Sequence, residues 1–424
     1  MSRYIFGHVE LCQAPACHFS TRMESVVLRA SYKKAVLTLL LAVTGAGSAM
    51  AAGDLSGPVQ AGPTPGHMTE YTPLAPALGL PGQGAAYHIL YTSTDGVTGK
   101  GTVTVSGAVY YPSGRPPAGG WPVVAWAHGT VGNADRCAPS VNVHTPRDTA
   151  YLSAWLKRGF AIVATDYEGL GTPGPHPYLN ARVEAYGVLD SVRAALGSLP
   201  NLADRVMIVG QAQGGAGAFA SAGYAPLYAP EINVRGTVAT GVPYMSPAVM
   251  QTLPAVAMAS TSRPDPLATY VLLMAAGEAG IDPHFQPEDV FTPQAMPFYR
   301  MVDNTCIFQL EDAVNRAGLT TAAILRPQAV RLLAPVFQAM MYPTLKLSRP
   351  VFIGTGSEDR DVATAGQLLL VHDACAAGST VEAHLYRGLD HSQTVLASLP
   401  DSEIFTKKVM ADQPVSSICS PVPQ

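Results

Sequence analysis

Three groups in this chain have types and spacing that bear on chemistry. They are the hexad Gly210-Gln211-Ala212-Gln213-Gly214-Gly215, an acid at 359 and a histidine at 391. The hexad follows the apolar run Arg205-Val206-Met207-Ile208-Val209 and precedes a small-residue stretch, 216–222. Strand, glycine-flanked turn and helix in that order form the frame that presents a nucleophile on a strained apex. Glycines two residues before and two after the apex let strand and helix approach closely. Acyl transfer on such a frame needs an apical serine, a histidine to take its proton, an acid to orient that histidine, and N–H donors for the oxyanion. The apex here is Ala212, and a methyl group cannot attack a carbonyl. No serine of the chain lies in a G-x-S-x-G context, so no displaced nucleophile is on offer.

The partners of that missing serine are present, in the order nucleophile, acid, histidine. After an apolar run at 351–354, the loop Gly356-Ser357-Glu358-Asp359-Arg360-Asp361-Val362 leaves a strand end with three acids. Asp359 stands in a D-x-x-V spacing that suits the orienting acid; Glu358 and Asp361 read as a solvated acidic loop. Gly388-Leu389-Asp390-His391-Ser392 places His391 on a loop beside a glycine, free to swing over the sheet edge. His384 competes but lies inside a strand, where a packed or surface histidine is the ordinary outcome. His128-Gly129-Thr130 follows another buried run. Backbone N–H groups at Gly129 and Thr130 could join that of Gln213, the residue after the apex, as an oxyanion hole.

The elements that must position these groups alternate along the chain. Strand-like runs cover 87–92, 101–111, 122–127 (PVVAWA), 160–165, 206–209, 234–240, 350–354 and 380–386. Helical spacing covers 150–158, 182–199, 364–376 and a final helix near 395–410. The continuous apolar runs suit strands buried on both faces, and the alternation implies a mostly parallel α/β sheet with helices on both sides. The stretch 243–348 is Met-, Ala- and Pro-rich, helical in pattern and without clear strands. It is too long for a loop and reads as a helical cap inserted after the sixth strand. The domain reading is a catalytic domain over 86–244 and 349–424, a cap or lid over 245–348, and an irregular Gly/Pro-rich arm over 52–85.

Only 13% of the 424 residues are charged, 48% are hydrophobic, and the formal net charge is −4, which gives no electrostatic case for nucleic acid. Arg29, Lys33 and Lys34 precede an apolar run at 35–43, and Ala49-Met50-Ala51 supplies a small-x-small cleavage pattern. Residues 1–51 therefore read as an export signal, with Met23 as an alternative start, and the mature chain as secreted or periplasmic without a stable membrane anchor. Cys137, Cys306, Cys375 and Cys419 remain after cleavage, an even number that reads as two disulfides with three pairings open. No CxxC and no close Cys/His pair points to a metal, and no cofactor is called for.

With these residues in view, the chain resembles the secretory lipases, the lipase A type of α/β-hydrolase. The resemblance rests on AWAHGTVGNADRCAPS at 125–140, TDYEGLGTPGPHPY at 165–178, the hexad, GTVATGVPY at 236–244 and the Asp359/His391 region. It implies an α/β-hydrolase fold and a carboxylic ester hydrolase, a lipase or esterase, acting on acyl esters or lipids beneath a helical cap. It also implies the pairings Cys137–Cys306 and Cys375–Cys419. The departure is Ala212, where the family has serine, so the chain as written is expected to be inactive. The alternative is an exported binding protein that holds esters or fatty acyl groups without turnover.

Overall fold

A computed structural model describes residues 64–259 and 264–424. The expected signal segment and cleavage site lie outside the described residues, as does the first part of the arm. The described residues form a nine-stranded sheet. Its strands are β1 (Met68–Pro73), β2 (Gln83–Thr94), β3 (Thr102–Pro112), β4 (Trp121–Ala127), β5 (Ala161–Thr165), β6 (Leu202–Gln211), β7 (Val234–Thr240), β8 (Val351–Gly356) and β9 (Val381–Tyr386). Their order is β1-β2-β3-β5-β4-β6-β7-β8-β9. The first three strands and the β3–β5 pair run antiparallel; from β5 to β9 every pair is parallel.

Side chains of the central strands alternate between two apolar layers. Val123, Ala125, Val163, Ile208 and Ile353 join one core, and Val124, Trp126, Ile162, Met207 and Phe352 the other. Both layers are buried, which is why these strands read as unbroken apolar runs. The first layer takes the helices Ala181–Ser198, Gln213–Tyr228 and Thr364–Ala376; the second takes Tyr151 and Trp155 of Pro146–Lys157 with Phe405 and Val409 of Leu399–Met410. At about 1.5–3 kcal/mol for each large apolar side chain fully buried, the two layers supply the main driving force for the fold.

Three expectations change. The arm is not irregular throughout: β1 pairs with β2, although its partly exposed, Pro-ended sequence MTEYTP lacks a strand's apolar alternation. The strand-free stretch consequently follows the seventh strand. The final helix is two helices, His391–Ala397 and Leu399–Met410, and Pro400 sits in the first turn of the second, where a missing N–H costs nothing.

Between β7 and β8 the described residues hold helices and one isolated bridge, Phe291 to Leu325. The longest are Pro247–Ala257, Pro266–Ile281 and Ile307–Arg316. They enclose a core of their own around Leu272, Leu273, Phe291, Leu310 and Ile324. Cys137 pairs with Cys306 and Cys375 with Cys419. The first bridge joins the loop after β4 to the start of Ile307–Arg316, and Ile307 N–H donates to Val131 O beside it at 2.9 Å. Among the described residues no helix is long and apolar enough to cross a membrane.

Candidate active site

The hexad folds as a sharp strand-to-helix turn. β6 ends at Gln211, the helix Gln213–Tyr228 begins at Gln213, and Ala212 between them has φ 55° and ψ −120°. An L-residue reaches positive φ only under strain. The turn is held by Ala212 N–H donating to Thr240 O at 2.9 Å and Ala216 N–H donating to Ala212 O at 3.0 Å. The flanking glycines are required: a Cβ on Gly210 would lie 1.9 Å from Gly214 O, and one on Gly214 would lie 1.9 Å from Ala127 O.

Asp359 and His391 meet. His391 Nδ1 donates to Asp359 Oδ2 at 2.7 Å. The Asp359 carboxylate is buried and also accepts from Asp361 N–H at 3.0 Å, Val362 N–H at 2.9 Å and Gln367 Nε2 at 2.8 Å. Those donors fix its orientation. His391 is not on a free loop: it opens a short helix, because Asp390 and Gln393 form a reciprocal capping box around the start. Asp361, read as solvated, accepts from Tyr270 Oη at 2.6 Å, and Glu358 lines the cavity mouth. Ligand-type atoms of Asp359, Asp361 and His391 lie within 4.8 Å of one another, yet the Asp359–His391 hydrogen bond already uses two of those groups. His384 packs in β9 against Phe352 and takes no part.

Two cavities share Thr130, Ala212 and His391 as a common boundary. The outer one, about 630 Å³, is mixed, with Arg147, Gln211, Glu311, Arg360 and Gln393 on its walls beside Pro266, Ile307 and Phe308. Burial, and then the neighbouring Asp361, push the Glu311 carboxyl up to about 7. The inner one, about 310 Å³, is lined by Met245, Leu253, Leu267, Met274, Phe337 and Met340.

Of the residues read as oxyanion donors, Thr130 lines both cavities and Gln213 the inner one. Gln213, as the first helical residue, carries an N–H that no intrahelical carbonyl can take. Its side chain is held from behind: Nε2 donates to Glu184 Oε1 at 3.0 Å and meets His176 Nε2 at 3.2 Å. Desolvation drives the His176 ring down to about 4, so it is neutral; with Nδ1–H donating to Glu168 O at 2.9 Å, its Nε2 accepts. Thr130 Oγ1 pairs with Tyr178 Oη at 2.7 Å. His128 is buried against Tyr167 and between the carbonyls of Gly129 and Asp166, and desolvation lowers its proton affinity.

Residues that the sequence reading did not single out complete the site. Gln211 Nε2 stands 2.9 Å from His391 Nε2, and Arg147 Nη2 donates to Gln211 Oε1 at 3.2 Å. The position of Gln211 inside the hexad was a signal in itself. Arg147, Gln367 and Glu184 had none, because only the tertiary fold brings them here.

Residues 136–259 match the secretory lipase family. No curated protein matches the chain. Among solved structures, the chain is similar to Candida antarctica lipase A in its closed state, at TM-score 0.68 and 20% identity over 85% of this chain and 86% of that one. It is similar to a putative hydrolase from Legionella pneumophila, at TM-score 0.67 and 20% identity over 82% and 100%. A rice cell wall degrading esterase from Xanthomonas oryzae gives TM-score 0.63 and 18% identity over 83% and 100%. The sheet, the elbow and the likeness to these structures make this an α/β-hydrolase fold with Ala212 at the apex of its elbow, and residues 136–259 of it match the secretory lipases.

Proposed function

We propose that the chain has the frame of a secreted carboxylic ester hydrolase of lipase or esterase type, built to cleave acyl esters by a Ser-Asp-His mechanism and inactive as written because Ala212 stands at the nucleophile position. The observation that carries this reading is the Asp359–His391 pair, whose imidazole lines the same cavity boundary as the strained apex. In a chain with serine at 212, His391 would take the hydroxyl proton while Asp359 stabilised the resulting imidazolium. Gln213 N–H, with the Gly129–Thr130 loop, would receive the oxyanion. The inner apolar cavity would take the acyl chain and the outer one the alcohol side, under the helices of 245–348 acting as a cap. Loss of the nucleophile costs on the order of 10⁶ in turnover, so any remaining hydrolysis is slight.

A second reading, an exported binding protein for esters or fatty acyl ligands, is favoured by one contact: the Nε2 of His391 is already engaged by Gln211. The Ala212→Ser chain separates the two. Hydrolysis of p-nitrophenyl esters, abolished by a serine-directed phosphonate and by His391→Ala, supports the hydrolase frame. A serine variant that binds a fluorescent fatty acyl probe yet leaves the esters intact puts binding in its place.

A further inference from the structure

Gln211 occupies the space between three groups of the site. It is buried, with one end of its amide at Arg147 and the other at His391. The loop opposite makes room for it: a Cβ on Gly129 would stand 2.3 Å from Gln211 Oε1. Which end of the amide faces which partner follows from chemistry. A guanidinium has only donors, so the end at Arg147 is the oxygen and the end at His391 is the NH2. The His391 tautomer follows too. Asp359 accepts from Nδ1–H, which leaves Nε2 of the neutral ring as an acceptor, and that lone pair is the one the amide meets. Arg147, Gln211, His391 and Asp359 thus form one directed chain of hydrogen bonds.

We propose that Gln211 is a positioning residue that occupies the base of the site: its side-chain amide, oriented by Arg147, donates to the Nε2 lone pair of His391 that a nucleophile at 212 would use. This deepens the hydrolase reading, since it concerns the same histidine, but it stands on contacts that hold whether or not the chain hydrolyses esters. It follows that a hydroxyl placed at 212 competes with an N–H already in place. Substituting Ala212 alone therefore leaves the base partly engaged.

Two measurements on the mature, disulfide-bonded protein test this, one without any ester. Diethyl pyrocarbonate acylates an unprotonated imidazole nitrogen, and its rate at His391 can be followed by peptide mass spectrometry. Gln211→Met keeps the length and packing of the side chain and removes its N–H. The rate at His391 is expected to rise three- to tenfold, roughly one hydrogen bond's worth of competition. Arg147→Met, which frees the amide to rotate, is expected to give a smaller rise and serves if Gln211→Met does not fold. An unchanged rate in the folded variant overturns the proposal. In the second measurement, Ala212→Ser and Ala212→Ser/Gln211→Met are compared on a p-nitrophenyl ester, with the double variant expected to be three- to tenfold faster. Equal, measurable rates overturn the proposal and leave the hydrolase reading intact. If both serine variants are inert while the His391 acylation rate rises, the hydrolase reading fails and the Gln211 assignment stands.

Discussion

Asp359 accepts four N–H donors while His391 accepts one and donates one, so the carboxylate is the fixed member of the pair and the imidazole the adjustable one. Rigid support for the acid is what a serine mechanism needs, since the acid sets the tautomer and angle of the ring. In the Ala212→Ser background, Asp359→Asn presents an N–H where an acceptor is required. Turnover of p-nitrophenyl esters is expected to fall about 10⁴-fold while ligand affinity stays within severalfold. A fall of less than tenfold would remove Asp359 from the assignment.

Glu184 gives the fold a pH dependence. It is fully buried behind Gln213, and desolvation pushes its carboxyl from the usual 4.5 up to about 8, against the opposing hydrogen bonds from Gln213 and the Leu179 backbone. A raised carboxyl means that the folded chain binds more protons than the unfolded one between those values. Its contribution is present in full below 4.5 and is lost as pH rises toward 8, at up to about 1.4 kcal/mol per pH unit. Urea unfolding at pH 5 and pH 8 should show that loss, and Glu184→Gln should reduce it. An identical pH slope in the variant would contradict the assignment.

On the hydrolase reading proposed above, the inner cavity would set a chain-length preference. Leu253→Trp introduces an indole among Met245, Leu267, Phe337 and Met340 and fills space that an acyl chain would take. Binding of a long-chain acyl probe should weaken at least tenfold, whereas a two- to four-carbon ester should be little affected. Equal losses for both would mean that the acyl chain lies elsewhere.

The Cys137–Cys306 bridge closes a separation of 169 residues. In the chain-entropy model, a loop of that length is worth about 5 kcal/mol. The Cys137→Ala/Cys306→Ala double variant should unfold at a correspondingly lower urea concentration. It should also lose probe binding, because Ile307 and Thr130 on either side of the bridge line the outer cavity. A variant of unchanged midpoint would show that the packing of Ile307 alone holds this edge.

Much of this molecule could be read directly from its residues. The strands β2 to β9 show as apolar or alternating runs, and the interrupted elbow motif, Asp359 and His391 mark the candidate site, where the structure brings the last two into hydrogen-bond contact. β1 escaped notice because an edge strand with polar, half-exposed side chains carries little apolar signal. The helix at His391 was legible in principle, since Asp390 and Gln393 stand at capping-box spacing. Arg147 was not: it lies 64 residues from Gln211 in sequence, and nothing local links a guanidinium at a helix start to an amide at a strand end.

The backbone at Ala212 separates readiness from reactivity. A positive-φ L-residue costs about 1–3 kcal/mol, and the surrounding hydrogen bonds hold it there with only a methyl to present. A hydroxyl or thiol introduced on that Cβ inherits the bent apex at no added conformational cost. Position 212 is thus a pre-shaped socket in which serine, cysteine and other small nucleophiles can be compared on one unchanged scaffold.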